Sequence, residues 1–393
     1  MRTIGLFAGI GGIESGFRSY NTSERLLCEI MPEAQSILKT QFPTAEINND
    51  VRQLKELPDC DILCAGFPCQ NISIAGDKKG MQGHESSLVT EIFRLVRTNK
   101  PKHIVIENVA NIISLHSGEI LSYITAELHN LGYSWAYRLI DPRSLGIPQR
   151  RPRFVLIASI VMSPKDILFP TEEIIDAYID EKPTSESLQN NTAAAYGFYW
   201  TEGKIGIGWA KDSIPPLKCG SSLGLPSSPA IWDIHNNFFG CPSIHDAERL
   251  QGFPIDWTKP IESEGFKNSM RWKVIGNAVN VAVSSWVAQR IMSHLQTSKR
   301  LDNISHKRKK AKWPKSAYQD LGQDLFAIES SPYPLGVNYT PILDFISEPL
   351  TPLSLRATLG FLKRVECSTL IKYPAEFIES LHIYLKNQYG YIK

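Results

Sequence analysis

Cys69 stands directly after a proline in the stretch AGFPCQ (residues 65–70), just past the apolar run DILCAGF. Cys64 lies inside that run, where a structural thiol belongs. Cys69 lies where a strand should end and the chain should bend. A thiolate is a strong nucleophile, and a turn leading into a helix N-terminus lowers a thiol's pKa. The competing reading is an inert buried cysteine; the local sequence favours the reactive one. Glu107, followed by Asn108, ends a second apolar run, HIVIENV. A carboxylic acid there is costly unless paired or protonated. Protonated, it can hydrogen-bond a ring nitrogen; paired, it is a salt bridge at a sheet edge. In QRRPR (149–153), Arg151 and Arg153 alternate, so an extended segment points both to one face. Such a fork suits phosphate or base contact.

Three further features suit a nucleotide-like ligand. FAGIGG (7–12) is a glycine-rich turn between a strand pattern and a helix pattern. It either lets a ligand approach the backbone at a helix N-terminus or is only a tight turn. It is neither the dinucleotide G-x-G-x-x-G fingerprint nor a phosphate loop, because no Lys-Ser/Thr follows. Glu29 closes RLLCEI, where an acid is suited to ribose hydroxyls. Asp50 closes AEINND and can accept from an adenine amino group. Each acid alone reads equally as a surface carboxylate; their common register at strand ends beside the glycine turn links them.

Positioning these groups falls to residues 1–160. TIGLFAG, RLLCEI, AEINND, CDILCAGF, HIVIENV and RFVLIASIV read as strands. GIESGFRSY, PEAQSILKTQF, LVTEIFRLVRTNK and GEILSYITAELHNLG read as helices between them, the second with proline in its first turn and the last with a glycine cap. This alternation predicts an α/β fold with a doubly wound, mostly parallel sheet whose ligands bind at the carboxyl ends of the strands. Residues 161–245 are rich in Gly, Pro, Ser and Trp and predict a smaller irregular domain of short strands and loops. Residues 246–298 return to helix, with RWKVIGNAVNVAVSSWVAQRIMSHL read as a turn followed by a long amphipathic helix. Residues 299–393 read as a basic linker and an extension with two helices, PLSLRATLGFLKRV and PAEFIESLHIYLKN.

Composition is that of an ordinary globular protein: 393 residues, 42% hydrophobic, 21% charged, net charge +2. Such a balance neither requires nor excludes a nucleic-acid partner. The basic run SHKRKKAKWPK (305–315) is either a solvated surface or a nucleic-acid contact. The seven cysteines show no metal spacing, so no metal is expected, and free thiols point to a reducing, cytoplasmic compartment. No stretch approaches the ~20 apolar residues of a membrane helix, and the N-terminus does not read as a signal peptide.

Taken in order, FAGIGG, GFPCQNIS, ENV, QRRPR, RLQGFP and GNAVN resemble the DNA (cytosine-5)-methyltransferases, over residues 1 to about 295. The resemblance implies S-adenosylmethionine as methyl donor. Phe7, Ala8, Gly9, Gly11 and Gly12 would line its pocket with Gly66 and Pro68. Glu29 would take the ribose with Ile30 as an apolar face to the adenine, and Asp50 would take the adenine beside Val51. Asn277 and Val279 would close the pocket. Cys69 would attack carbon 6 of a flipped cytosine, Glu107 would hydrogen-bond ring nitrogen 3, Arg153 would contact the base oxygen and Arg151 would support the site. Gln70, Ser73, Gln149 and Gln251 would contact double-stranded DNA. Residues 161–245 would be the target-recognition domain, reading bases from loops in the major groove. The resemblance further implies a bacterial or phage enzyme, either the modification half of a restriction–modification pair with a separate cognate endonuclease or an orphan methylase. A reaction on one cytosine at a time needs no dimer, so a monomer is expected.

Two departures stand out. Gly5 occupies a place where many members carry an acid, and Ile30 stands where an aromatic often follows the ribose acid. Competing readings are a transfer-RNA cytosine-5 methyltransferase, a catalytically inactive DNA-binding regulator and a nucleotide-binding oxidoreductase. The first lacks its Cys-Phe-Thr signature here. The second usually requires loss of Pro-Cys or Glu-Asn-Val. The third lacks its glycine fingerprint. The extension reads as a DNA clamp, a packing element or a partner surface.

Overall fold

The structure is a computed structural model that describes residues 1–68, 88–170, 177–190, 192–220, 228–294, 305–307 and 312–391. The chain forms two compact units. The first comprises Met1–Ser144, Pro152–Ala177 and Ala278–Gly336; the second comprises Leu145–Arg151, Tyr178–Asn277 and Val337–Lys393.

In the first unit, β1 (Arg2–Leu6), β2 (Ser23–Cys28), β3 (Glu46–Asn48), β4 (Ile62–Ala65) and β5 (His103–Val109) run parallel in the order β3-β2-β1-β4-β5. Parallel strands covered on both faces need near-continuous apolar sequence, and ILCA of β4 is buried throughout. The chain adds strands outward from β1 to β3, then returns to place β4 on the other side of β1. The crevice of such a sheet lies at the carboxyl ends of those two strands. β6 (Ser134–Ile140) and β7 (Arg153–Ser159) extend the sheet antiparallel beyond β5, in the order β5-β7-β6. The sequence reading has no strand at β6, because Arg138 interrupts its apolar pattern. Arg138 is fully buried and donates to the carbonyls of Leu168 (2.8 Å) and Ser331 (2.6 Å).

Helices α1 (Gly12–Phe17), α2 (Pro32–Gln41), α3 (Leu88–Val96) and α4 (Glu119–Asn130) cover the sheet. Val89, Ile92 and Phe93 of α3 and Leu121 and Ile124 of α4 join Leu6, Leu63 and Ile106 in the main core. The helix Val281–His294 packs on α1, and Ser284 Oγ donates to the Gly12 carbonyl at 2.7 Å. Three short strands, Ser305–Lys307, Ala317–Gln319 and Phe326–Ile328, lengthen the sheet past β6. Part of the expected linker is therefore sheet; strands of three residues are too short to show a period.

The second unit has an antiparallel sheet of β8 (Ala195–Phe198), β9 (Ala210–Lys211), β10 (Ala230–Asp233) and β11 (Phe238–Cys241), with Thr351–Pro352 paired to β11. It also holds α5 (Ile244–Leu250) and α6 (Ser269–Asn277). Residues 269–277 are helical where a turn is expected. The break falls at 278–280 instead, where Asn280 Oδ1 accepts the Ala282 N–H and caps the next helix. The two expected tail helices are α7 (Leu355–Glu366) and α8 (Ala375–Tyr389). They are not a separate extension. Phe361, Phe377, Leu381 and Tyr384 share one core with Tyr196, Phe198, Trp232 and Phe239. The stretch read as a return segment is divided between the units, with residues 246–277 in the second. No described helix is long and apolar enough to cross a membrane.

Candidate active site

The turn after β1 is built from positive-φ residues. Phe7 (φ 57°), Gly9 (φ 56°) and Gly11 (φ 83°) fold the chain back so that the Gly11 N–H donates to the Ala8 carbonyl at 2.8 Å. A non-glycine residue in that region, as Phe7 is, stores strain of a kind that clusters at functional sites. The Ala8 N–H donates to the Cys28 carbonyl (2.9 Å), which ties the turn to the end of β2. A Cβ on Gly12 would lie 2.5 Å from the Val279 carbonyl oxygen. Only glycine lets the segment after residue 277 come so close.

Glu29 follows β2 and joins this turn to the next helix. One carboxylate oxygen accepts the Gly9 N–H and the other the Met31 N–H, both at 2.8 Å. Its carbonyl accepts Gln35 Nε2 at 2.7 Å. Burial pushes the Glu29 pKa up, against the N–H donors of Met31, Gly9 and Ile30. Beside this buried acid, Ile30 is 64% exposed. A fixed acid thus stands next to a bare aliphatic side chain. The space over Gly9 is open, since a Cβ there would meet no atom within 4 Å.

Asp50 follows β3. Its carboxylate accepts the Arg52 N–H (3.0 Å) and is paired with the Arg52 guanidinium (2.8 Å), which holds its pKa low. It lies in the expected register, but already engaged. Val51 is buried in the main core.

The segment after β4 leads toward Cys69. The Gly66 N–H donates to the Leu6 carbonyl (3.3 Å), Phe67 is buried and Pro68 is exposed. Gly66 also faces Phe7 and Val279, since a Cβ there would lie 3.8 Å from an atom of each. Cys69, Gln70 and Ser73 lie outside the described residues. Asn108 Nδ2 donates to the Phe67 carbonyl at 2.9 Å, so the ENV strand end fixes the approach to Cys69. The sequence reading named Asn108 without this role; an amide directly after a strand-end acid was the available signal.

Glu107 of β5 is buried, and Arg153, the first residue of β7, faces it with Nε 3.2 Å from Oε1. Antiparallel pairing of β5 with β7 brings the two motifs together across 46 residues of sequence. Thus Phe7–Gly12, Glu29, Gly66–Pro68, Glu107, Arg153 and Val279 all belong to the first unit, at or beside the carboxyl ends of its strands and the amino end of β7.

The remaining residues belong to the second unit. Arg151 is buried and donates to the carbonyls of Leu217 and Gly276, both at 2.9 Å. It positions backbone. Gln149 and Gln251 differ from expectation. Both are fully buried. Gln149 Nε2 donates to the Leu250 carbonyl (2.8 Å), and Gln251 Nε2 donates to the Ile275 carbonyl (2.8 Å). Their amides serve the interior of the unit and are withdrawn from DNA. Asn277 is exposed at the end of α6.

A model of the family described as C-5 cytosine-specific DNA methylase matches residues 1–199. The chain is 40% identical over 387 residues to the Type II methyltransferase M2.BsuMI of Bacillus subtilis, covering 97% of each. It is 32% identical over 323 residues to the Type II methyltransferase M.HhaI of Haemophilus parahaemolyticus, covering 75% of this chain and 95% of that one. In fold it resembles the crystal structure of the S. pombe Dnmt2 methyltransferase, with a TM-score of 0.54 and 18% identity over 76% of this chain and all of that one. The chain belongs to the C-5 cytosine-specific DNA methylases, S-adenosylmethionine-dependent enzymes, and is of the Type II restriction–modification kind.

Proposed function

We propose that the enzyme methylates carbon 5 of a cytosine flipped out of a specific short double-stranded DNA sequence, through a covalent adduct of Cys69. The supporting observation is the gathering of the glycine turn, Glu29, Gly66–Pro68 and the Glu107–Arg153 pair around one set of strand ends. The donor site fits its ligand: Phe7, Ala8, Gly9, Gly11 and Gly12 form the turn, Glu29 meets the ribose, and Ile30 faces the adenine. Asp50 and Val51 border the adenine, and Val279 completes the pocket. S-adenosylmethionine supplies the methyl group.

Carbon 5 of cytosine is a weak nucleophile. Attack of the Cys69 thiolate on carbon 6 makes the ring enamine-like, so that carbon 5 can take the methyl group. Asn108 holds the Phe67 backbone on the approach to Cys69. Glu107, in its protonated form, donates to ring nitrogen 3 and offsets the charge that develops, while Arg153 donates to the base oxygen. Insertion of the base separates these two side chains from each other. Loss of the carbon-5 proton then expels the Cys69 thiolate and leaves 5-methylcytosine. Gln70 and Ser73 contact the DNA beside the flipped base. The second unit contains the target-recognition function. The enzyme acts in the cytoplasm as a monomer, beside a separate cognate endonuclease.

The test compares the chain with Cys69→Ser, using labelled S-adenosylmethionine and unmethylated DNA, and maps 5-methylcytosine by bisulfite sequencing. Transfer by the native chain alone is expected. Transfer by Cys69→Ser at a comparable rate would remove the covalent route. Donor binding without transfer to DNA would point to RNA.

A further inference from the structure

We propose that residues 202–206 form a base-reading loop held in shape by residues 364–373, with Lys204 and Ile205 as its contacts to DNA. This assignment rests on the DNA-methylation reading and deepens it.

The loop joins β8 to β9. Its base is closed by the Tyr199 N–H donating to the Ile207 carbonyl (2.7 Å), with Ile207 fully buried. Beyond that closure, the loop's carbonyls are bound one after another by C-terminal side chains. Arg364 donates to Trp200 (2.8 Å) and to Glu202 (2.9 Å). Tyr373 OH donates to Gly203 (2.7 Å), and Ser368 Oγ donates to Lys204 (2.9 Å). Gly203 has φ 142°, which a side chain rarely permits, and a Cβ there would lie 3.0 Å from Arg364 Cβ. Each bond uses a backbone acceptor and leaves the loop's side chains outside.

Lys204 is exposed and Ile205 is 75% exposed. A bare isoleucine on a backbone this firmly held adds nothing to the core, so its place is explained by what it meets. The adjoining segment repeats the pattern with Leu370, 73% exposed, and an exposed Lys372. The Glu202 carboxylate is paired with Lys218 at 2.8 Å, so that acid does not oppose a phosphate at the tip. A lysine ammonium donates to guanine O6 and N7 in the major groove, and an aliphatic side chain packs on a thymine methyl. Reading bases requires side chains held to within about half an ångström, which the four carbonyl anchors supply. A protein surface docking on Ile205 and Leu370 is the competing occupant.

The experiment uses the full chain and four variants: Lys204→Ala, Ile205→Ala, Ser368→Ala and Tyr373→Phe. Methylation of a randomised DNA library is mapped by bisulfite sequencing; hydrogen exchange of β8, β10 and β11 serves as the control for folding of the second unit, and calorimetric donor binding as that of the first. Lys204→Ala and Ile205→Ala should each relax discrimination at one base pair by about tenfold or more, with donor affinity retained. Tyr373→Phe, which removes only a hydroxyl, should relax the same position as Lys204→Ala. Unchanged sequence preference in both loop variants would overturn the loop assignment and favour a protein partner. Relaxation in the loop variants but in neither Ser368→Ala nor Tyr373→Phe would overturn the clamp. Absence of any sequence-directed transfer by the native chain would overturn the methylation reading together with the loop.

Discussion

Glu107 and Arg153 occupy each other in this structure, and the base is expected to come between them. The pair keeps the buried Glu107 carboxylate and the partly buried Arg153 guanidinium satisfied, and in the proposed mechanism a cytosine offers a better partner to each. Glu107→Gln should therefore retain donor binding and lower kcat by about 10²–10³. Single-turnover methyl transfer at saturating DNA checks this, and an unchanged rate would remove Glu107 from the chemistry. A second acid, Glu14 of α1, takes no part in the proposed mechanism. Its carboxyl lies where a side chain on Gly5 would be, which gives a reason for the glycine in that strand. Burial pushes its pKa from 4.5 up to about 8, reinforced by the Glu24 and Glu29 carboxylates. The unfolded chain releases this proton near pH 4.5 and the folded chain holds it to about 8. Folding stability is therefore greatest below that window and falls as pH rises through it. Glu14→Gln should gain on the native chain between pH 5 and 8, by on the order of 3 kcal/mol. Urea unfolding across that range reads the difference; a gap independent of pH would mean that Glu14 is charged throughout.

At the scale of elements, the proposed donor site depends on a tight approach between the start of α1 and the segment before the helix Val281–His294. Gly12→Ala would drive a methyl group into the Val279 carbonyl. It should cost about 1–3 kcal/mol of stability and weaken donor binding by more than tenfold, measured by calorimetry. Retained affinity would place Val279 outside the pocket. The same approach shows what the sequence makes legible. Strands β1, β2, β4 and β5 and helices α2 and α4 carry apolar runs, a first-turn proline or a glycine cap, so local chemistry specifies them. Glu29, Glu107 and Arg153 could be placed because each ends or begins such a run. β6 could not, because its buried Arg138 is held by the carbonyls of Leu168 and Ser331, far away in sequence. Gln149 and Gln251 show the same limit: a glutamine beside arginines reads as a DNA contact until its buried carbonyl partners are known. The clamp on residues 200–204 spans more than 160 positions and leaves no local trace.

At the scale of the whole molecule, the question is what residues 337–393 do. The family model ends at residue 199, whereas similarity to the B. subtilis enzyme covers nearly the full chain. The extension is thus shared with that relative, and its helices supply much of the second unit's core. Phe377 is fully buried, with ring centroids 4.8 Å from Trp209, 5.1 Å from Trp232 and 5.5 Å from Phe198. Removing one large ring from so dense a cluster costs about 3–5 kcal/mol. Hydrogen exchange shows where that loss falls, because each cooperative unit opens with its own free energy. In Phe377→Ala, amides of β8, β10 and β11 should exchange 10²–10³ times faster, while those of β1, β4 and β5 keep their protection. Donor binding should survive and sequence-directed methylation should fall, because the proposed base-reading loop is held by the segment between the helices that Phe377 anchors. A uniform loss of protection across both sheets would show instead that the two units unfold as one, and the extension would then stabilise the whole enzyme and not only its recognition surface.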